Sequence, residues 1–219
     1  MPETPFLSFR LALLFTLCFI GLLWLLKLVE VLTGISLIQL GIYPRMLSGV
    51  PGILLAPLIH GSFSHLIANT LPLLILGTSL IHTYPRSAIH AIPLIYVLSG
   101  LGVWLFARPV YHIGASGLTY GMMIFIFVIG ILRRDRFSIA LSMIVFFLYG
   151  SMIYGIAPFL VPTDRTISFE YHFFGAVTGL ILAFIMKGRD PQLPEKKYSW
   201  EDEPEDAEDP IIGDEWRDP

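Results

Sequence analysis

Charge is the first thing this sequence is short of. Only 14% of its 219 residues are Asp, Glu, Lys or Arg, where a soluble domain carries roughly 25%. In their place 55% of the residues are hydrophobic, and the mean hydropathy is +0.72. The shortage excludes an ordinary soluble domain and makes the chain an integral membrane protein. Cysteine is nearly absent as well. The single Cys18 excludes a disulfide framework within the chain and says nothing of the redox compartment. No His-Glu-x-x-His occurs, and the acidic residues keep to the ends of the apolar runs. No small-x-small cleavage site follows the first run, so it reads as a retained span rather than a signal peptide.

What is present is a series of apolar runs of membrane length, which for a helix is about 20 residues. They predict spans over 9–33, 63–82, 90–106, 115–132, 138–159 and 169–186, an all-α, polytopic six-transmembrane-helix bundle. Lys27 and Glu30 sit three apart on one helix face and are expected to pair, with the Lys27 charge extended toward the interface. The connection 34–59 is too long to be idle and reads as an interfacial segment with short helical turns around 46–55. A turn is expected over 83–87. Residues 1–8 form a short N-terminus, 9–186 the core, and 187–219 a tail whose Glu, Asp and Pro cannot bury enough surface to fold. Residues 1–186 carry nine Lys/Arg and five Asp/Glu, the tail five and twelve, so the net charge of -3 divides into +4 and -7. Basic residues concentrate on the loops that share a side with both termini. This predicts a multi-pass protein of the plasma (inner) membrane with both termini cytoplasmic, and no nucleic-acid partner.

Ionisable groups inside spans are costly and tend to mark function. With this topology three outer helix ends carry them: His60, His65 and Asn69 at span 2, Ser116 at span 4, and Glu170 to His172 at span 6. His65 and Asn69 share a helix face. Gly117 with Gly121, and Gly175 with Gly179, form small-xxx-small faces that let backbones approach closely. If these faces meet, His172 comes beside Ser116, and Tyr120 can pack on its imidazole. A histidine next to a serine can take the hydroxyl proton as the oxygen attacks a carbonyl. The resulting oxyanion needs donors, and His65, Asn69 and the Ser116 backbone N–H are the available ones. No acidic residue is placed to orient His172, so a dyad fits better than a triad. Blander readings stay open. A serine at a helix end can hide its hydroxyl against its own backbone. Glycine faces are often plain packing seams, and His60, His65 and His172 could ligate zinc. A small histidine-lined transporter is a further alternative, although it would need polar groups through the full membrane depth. His82, His90 and His112 are assigned no role.

His60-x4-His65-x3-Asn69, Gly114-Ala115-Ser116-Gly117-x2-Tyr120 and His172-x2-Gly175-x3-Gly179, in this order, resemble the rhomboid intramembrane serine proteases over residues 9–186. The resemblance implies an intramembrane serine endopeptidase, with Ser116 as nucleophile and His172 as general base and acid. It implies His65 and Asn69 at the oxyanion, and supporting roles for His60, Tyr120, Gly114, Gly117, Gly175 and Gly179. It also implies no cofactor and no metal, an active site opening to the outer face, and membrane-protein substrates met in the lipid bilayer. The alternative within the family is a pseudoprotease that binds client spans without cutting them. The chain departs from the family pattern where many members carry Trp-Arg in the first outer loop, having Pro51-Gly52 there, and at Ile81, where several have Glu.

Overall fold

A computed structural model of the chain describes residues 7–156 and 168–192. Among these residues the fold is all-helical, with six helices long and apolar enough to cross a membrane: α1 Phe9–Thr33, α2 Phe63–Thr83, α3 Pro85–Phe106, α4 Ser116–Arg133, α5 Arg136–Gly155 and α6 Phe169–Met186. The last part of the expected fifth span and the loop 162–166 lie outside the described residues.

α4 is the centre of the bundle. It buries 67% of its apolar window, against 28% for α1 and 22% for α5, and it packs on α3, α5 and above all α6. The reason is glycine. A Cβ on Gly175 would overlap the Gly117 carbonyl, and one on Gly179 the Gly121 carbonyl, so the two small-xxx-small faces meet backbone to backbone. Around this seam Met122, Phe125 and Ile126 of α4 pack in one core with Leu73 and Leu76 of α2 and Ile95 of α3.

The segment between α1 and α2 is built of short turns, Leu47–Gly49, Gly52–Leu55 and Ala56–Leu58, in the region where short turns are expected. It is fastened to the end of α3 by the Arg45 guanidinium donating to the Ala107 carbonyl at 2.9 Å and the Trp104 indole donating to the Met46 carbonyl at 2.9 Å. A backbone bridge between Ile42 and His112 ties it to the approach to α4.

Three local expectations need correction. α3 starts at Pro85 and not near residue 90, leaving Tyr84 alone between helices. Proline suits the first helical position, and the Arg86 and Ser87 N–H groups that follow are capped by the Asp190 carboxylate at 2.8 and 3.1 Å. Because Asp190 is held in this way, the packed body runs past the expected boundary at 187. Arg133 also donates to the Asp190 carbonyl at 2.7 Å and the Pro191 carbonyl at 2.9 Å. Residues 193–219 lie outside the described residues. Finally, Lys27 does not reach for the interface. It is buried, paired with Glu30 at 2.8 Å, and donates to the Gly61 carbonyl at 3.3 Å.

The seam makes a direct prediction. Gly179→Ala forces its methyl group against the Gly121 carbonyl and should destabilise the folded protein by about 3 kcal/mol, the upper range for overpacking. Gly21→Ala, on an open face of α1 with nothing within 4 Å of the new Cβ, should be neutral or stabilising by up to about 1 kcal/mol. Unfolding in mixed detergent micelles checks both.

Candidate functional site

The N-terminus of α4 is reached through a turn that requires glycine. Gly114 has φ +107°, which L side chains rarely adopt. A Cβ there would also stand 2.6 Å from Cε1 and 2.7 Å from Nε2 of His65. The approach is held from the other side by the Gly114 N–H donating to the Ala56 carbonyl at 2.8 Å and the Ala115 N–H donating to His60 Nε2 at 3.5 Å. Ser116 follows as the first residue of α4, buried at 8% exposure. Among the described residues its hydroxyl has no hydrogen-bond partner, unlike that of Thr119 one turn on, which donates to the Ser116 carbonyl at 2.8 Å.

The Ser116 hydroxyl faces a cavity of about 680 Å³ that is also lined by His65, Asn69, Tyr120, Ser168 and His172. Its rim includes Gly61, Ser62, Ser64 and Tyr111, all exposed, so the cavity opens where the N-termini of α2, α4 and α6 come together. Ile113, Leu148 and Met152 give it apolar walls.

His172 enters from α6 with its orientation fixed twice. Its ring stacks on Tyr120 with centroids 4.0 Å apart and planes 6° apart. Nδ1 lies 3.0 Å from the Gly155 carbonyl. A carbonyl can only accept, so Nδ1 carries the proton and Nε2 keeps its lone pair. Ser116 and His172 are not hydrogen-bonded to each other in this structure.

From α2, the Ser62 hydroxyl caps the helix by accepting the His65 N–H at 3.1 Å. Asn69 spends one amide hydrogen on the His65 carbonyl at 3.0 Å and has a second available to the cavity. His60 is 1% exposed and packs edge-on against His65 with ring centroids 5.0 Å apart. Burial, the neighbouring His65 and the Lys27 charge together pull its pKa from 6.5 down to about 4, against the opposing pull of the Leu58 carbonyl. It is therefore a neutral acceptor for the Ala115 N–H.

Of the residues singled out from the sequence, His65, Asn69, Ser116, Tyr120 and His172 line this cavity and His60 packs against His65, while Gly117, Gly175 and Gly179 lie in the seam between α4 and α6. Among the described residues no three His, Cys, Asp or Glu side chains converge as a metal set would. Sequence reasoning missed the Gly155 carbonyl, which has no side chain to announce it, and Lys27, whose bond to the Gly61 carbonyl links α1 to the His60 turn. It also missed His112, which is buried and bonded to Ser168.

A six-helix bundle with a polar cavity at one end, lined by a serine at a helix start and a histidine on the helix beside it, defines a class of membrane protein. The family model described as Rhomboid domain matches residues 48–189. The chain belongs to the rhomboid family, whose members are generally intramembrane serine proteases, and is a multi-pass integral membrane protein. It is 36% identical over 187 residues to uncharacterized proteins of Mycobacterium tuberculosis and Mycobacterium bovis, covering 83% of this chain and 75% of each relative. It is 31% identical over 194 residues to an uncharacterized protein of Mycobacterium leprae, covering 86% of this chain and 76% of that one.

The state of His60 has a consequence for acid stability. Between about pH 6.5 and 4 the unfolded chain binds a proton on this residue that the folded chain refuses, so stability falls as the pH drops through that window, by at most about 1.4 kcal/mol per pH unit. His60→Gln removes this contribution and should make the acid limb shallower. Detergent unfolding of both proteins across the window checks it, and equal slopes would show that His60 is protonated in the fold.

Proposed function

We propose that the chain is an intramembrane serine endopeptidase that cuts other membrane proteins within or next to a transmembrane segment. Ser116 Oγ attacks the scissile carbonyl carbon while His172 Nε2 takes its proton. The oxyanion is met by His65, the free amide hydrogen of Asn69 and the Ser116 N–H. Collapse of the tetrahedral intermediate breaks the C–N bond, and the leaving amine takes the proton from His172. Water then attacks the acyl-serine by the same route and releases the acid product. The Gly155 carbonyl does for His172 what a carboxylate does in a triad: it fixes the tautomer. The protein sits in the plasma membrane with both termini cytoplasmic and the cavity opening outward, the orientation favoured by its basic loops.

The observation that carries this reading is the lone pair of His172 Nε2, left free by the Nδ1 bond to Gly155, on the wall of the same cavity as a Ser116 hydroxyl that has no partner among the described residues. The missing Ser116–His172 bond favours the alternative of a client-binding pseudoprotease, but such bonds are often long before substrate binds. Proteoliposomes carrying a model membrane substrate separate the two. Cleavage should occur with the unmodified chain, vanish in Ser116→Ala and His172→Ala, and be unaffected by EDTA. His65→Ala and Asn69→Ala should each lower kcat by about 10² to 10³. Binding without cleavage supports the alternative, and cleavage by Ser116→Ala overturns the proposal.

A further inference from the structure

Beside the cavity, with Ser168 on its wall, lies a second serine–histidine contact that the proposed chemistry does not use. His112 is 1% exposed and stands four residues before Ser116. Ser168 stands four residues before His172. His112 Nδ1 lies 2.6 Å from Ser168 Oγ, and its Nε2 lies 3.0 Å from the Arg108 carbonyl. The carbonyl can only accept, so Nε2 carries the ring proton and Nδ1 is left as an acceptor for the Ser168 hydroxyl. That hydroxyl also accepts the Tyr171 N–H at 3.3 Å as part of the N-cap of α6.

The chain of bonds thus runs from the first turn of α6, through Ser168 and the imidazole, to the backbone just before α4. His112 is buried, Ser168 and Arg108 are partly buried, and each bond is directional. The His112 backbone is itself anchored, exchanging two hydrogen bonds with Ile42 at 2.9 and 3.0 Å, so the ring has little freedom to follow α6 if that helix shifts. A second tie runs alongside, from Glu170 of α6 to the N–H and the guanidinium of Arg108 at 3.4 and 3.3 Å. The glycine seam fixes how closely α4 and α6 approach, but two smooth backbones can still slide along each other. A bond between their leading segments is what sets the relative height.

We propose that His112 and Ser168 form a positioning clamp that holds Ser116 and His172 at matching depth. This inference rests on the dyad reading above. Neither residue touches the reacting atoms. Their effect is on proton-transfer geometry, where misplacement by 1 Å costs about 10²-fold in rate.

The test uses the full chain in proteoliposomes, with a fluorophosphonate as probe of Ser116 and a model membrane substrate for steady-state rates. His112→Leu and Ser168→Ala should each slow labelling and lower kcat by about 10- to 100-fold with KM within about two-fold of the starting value, and Ser168→Thr, which restores the hydroxyl, should recover most of the rate. Unchanged labelling in a folded His112→Leu or Ser168→Ala chain overturns the clamp, as does a loss confined to KM. Absence of labelling in the unmodified chain defeats the dyad reading instead. The clamp is then decided by a double-mutant cycle in unfolding, where additive losses for the two variants overturn it and a shared loss supports it.

Discussion

In hydrocarbon two helices gain little by pressing apolar side chains together, because the lipid they displace is equally apolar. α4 and α6 are held instead by direct backbone approach, with Gly175 against the Gly117 carbonyl and Gly179 against the Gly121 carbonyl. Much else follows from that contact. It lets α4 occupy the centre of the bundle, and it brings the first turn of α6 against the first turn of α4. It also leaves the Tyr120 ring room to stack on His172. A single methyl group in the seam would separate the two helices by more than the tolerance of a hydrogen bond.

Polar groups at the two ends of the bundle are treated differently. At the end where α3 begins, Asp190 and Arg133 spend their charges on backbone groups and lock residues 187–192 in place. At the cavity end, His60 accepts from Ala115, His112 is bonded at both nitrogens, and His172 is bonded at Nδ1. Buried polar groups are normally paired, and these imidazoles are each held by at least one such bond, while His60 Nδ1 and the Tyr171 hydroxyl have no partner among the described residues. The Ser116 hydroxyl, on the cavity wall, has no hydrogen-bond partner among the described residues. Under the proposed mechanism this is the group that must be free to move toward a carbonyl, and the bonds around it keep its surroundings from moving as well.

The spans could be read from the sequence because length and hydropathy are local properties, and α1 and α6 match their expected limits to the residue. The meeting of α4 and α6 was legible for the same reason, since small-xxx-small spacing is a local pattern with a direct packing consequence. The start of α3 was not, because its cap comes from Asp190 on a distant part of the chain. The π-turn at Leu73–Gly77 following Pro72 was also missed, being a register change that apolar composition does not reveal. Lys27 misled for a related reason. A lysine near a helix end usually reaches outward, and only the Gly61 carbonyl on another segment explains why this one turns in. The Gly155 carbonyl and the His112–Ser168 pair were missed because one is backbone and the other joins residues 56 apart.

The central claim is that Ser116 is a nucleophile activated by His172. It is tested most directly by treating the purified chain with a fluorophosphonate and mapping the adduct by tandem mass spectrometry. The account predicts a single adduct on Ser116 Oγ that is lost in His172→Ala. An adduct on another residue, Ser168 included, or labelling of Ser116 that proceeds unchanged in His172→Ala, would contradict it.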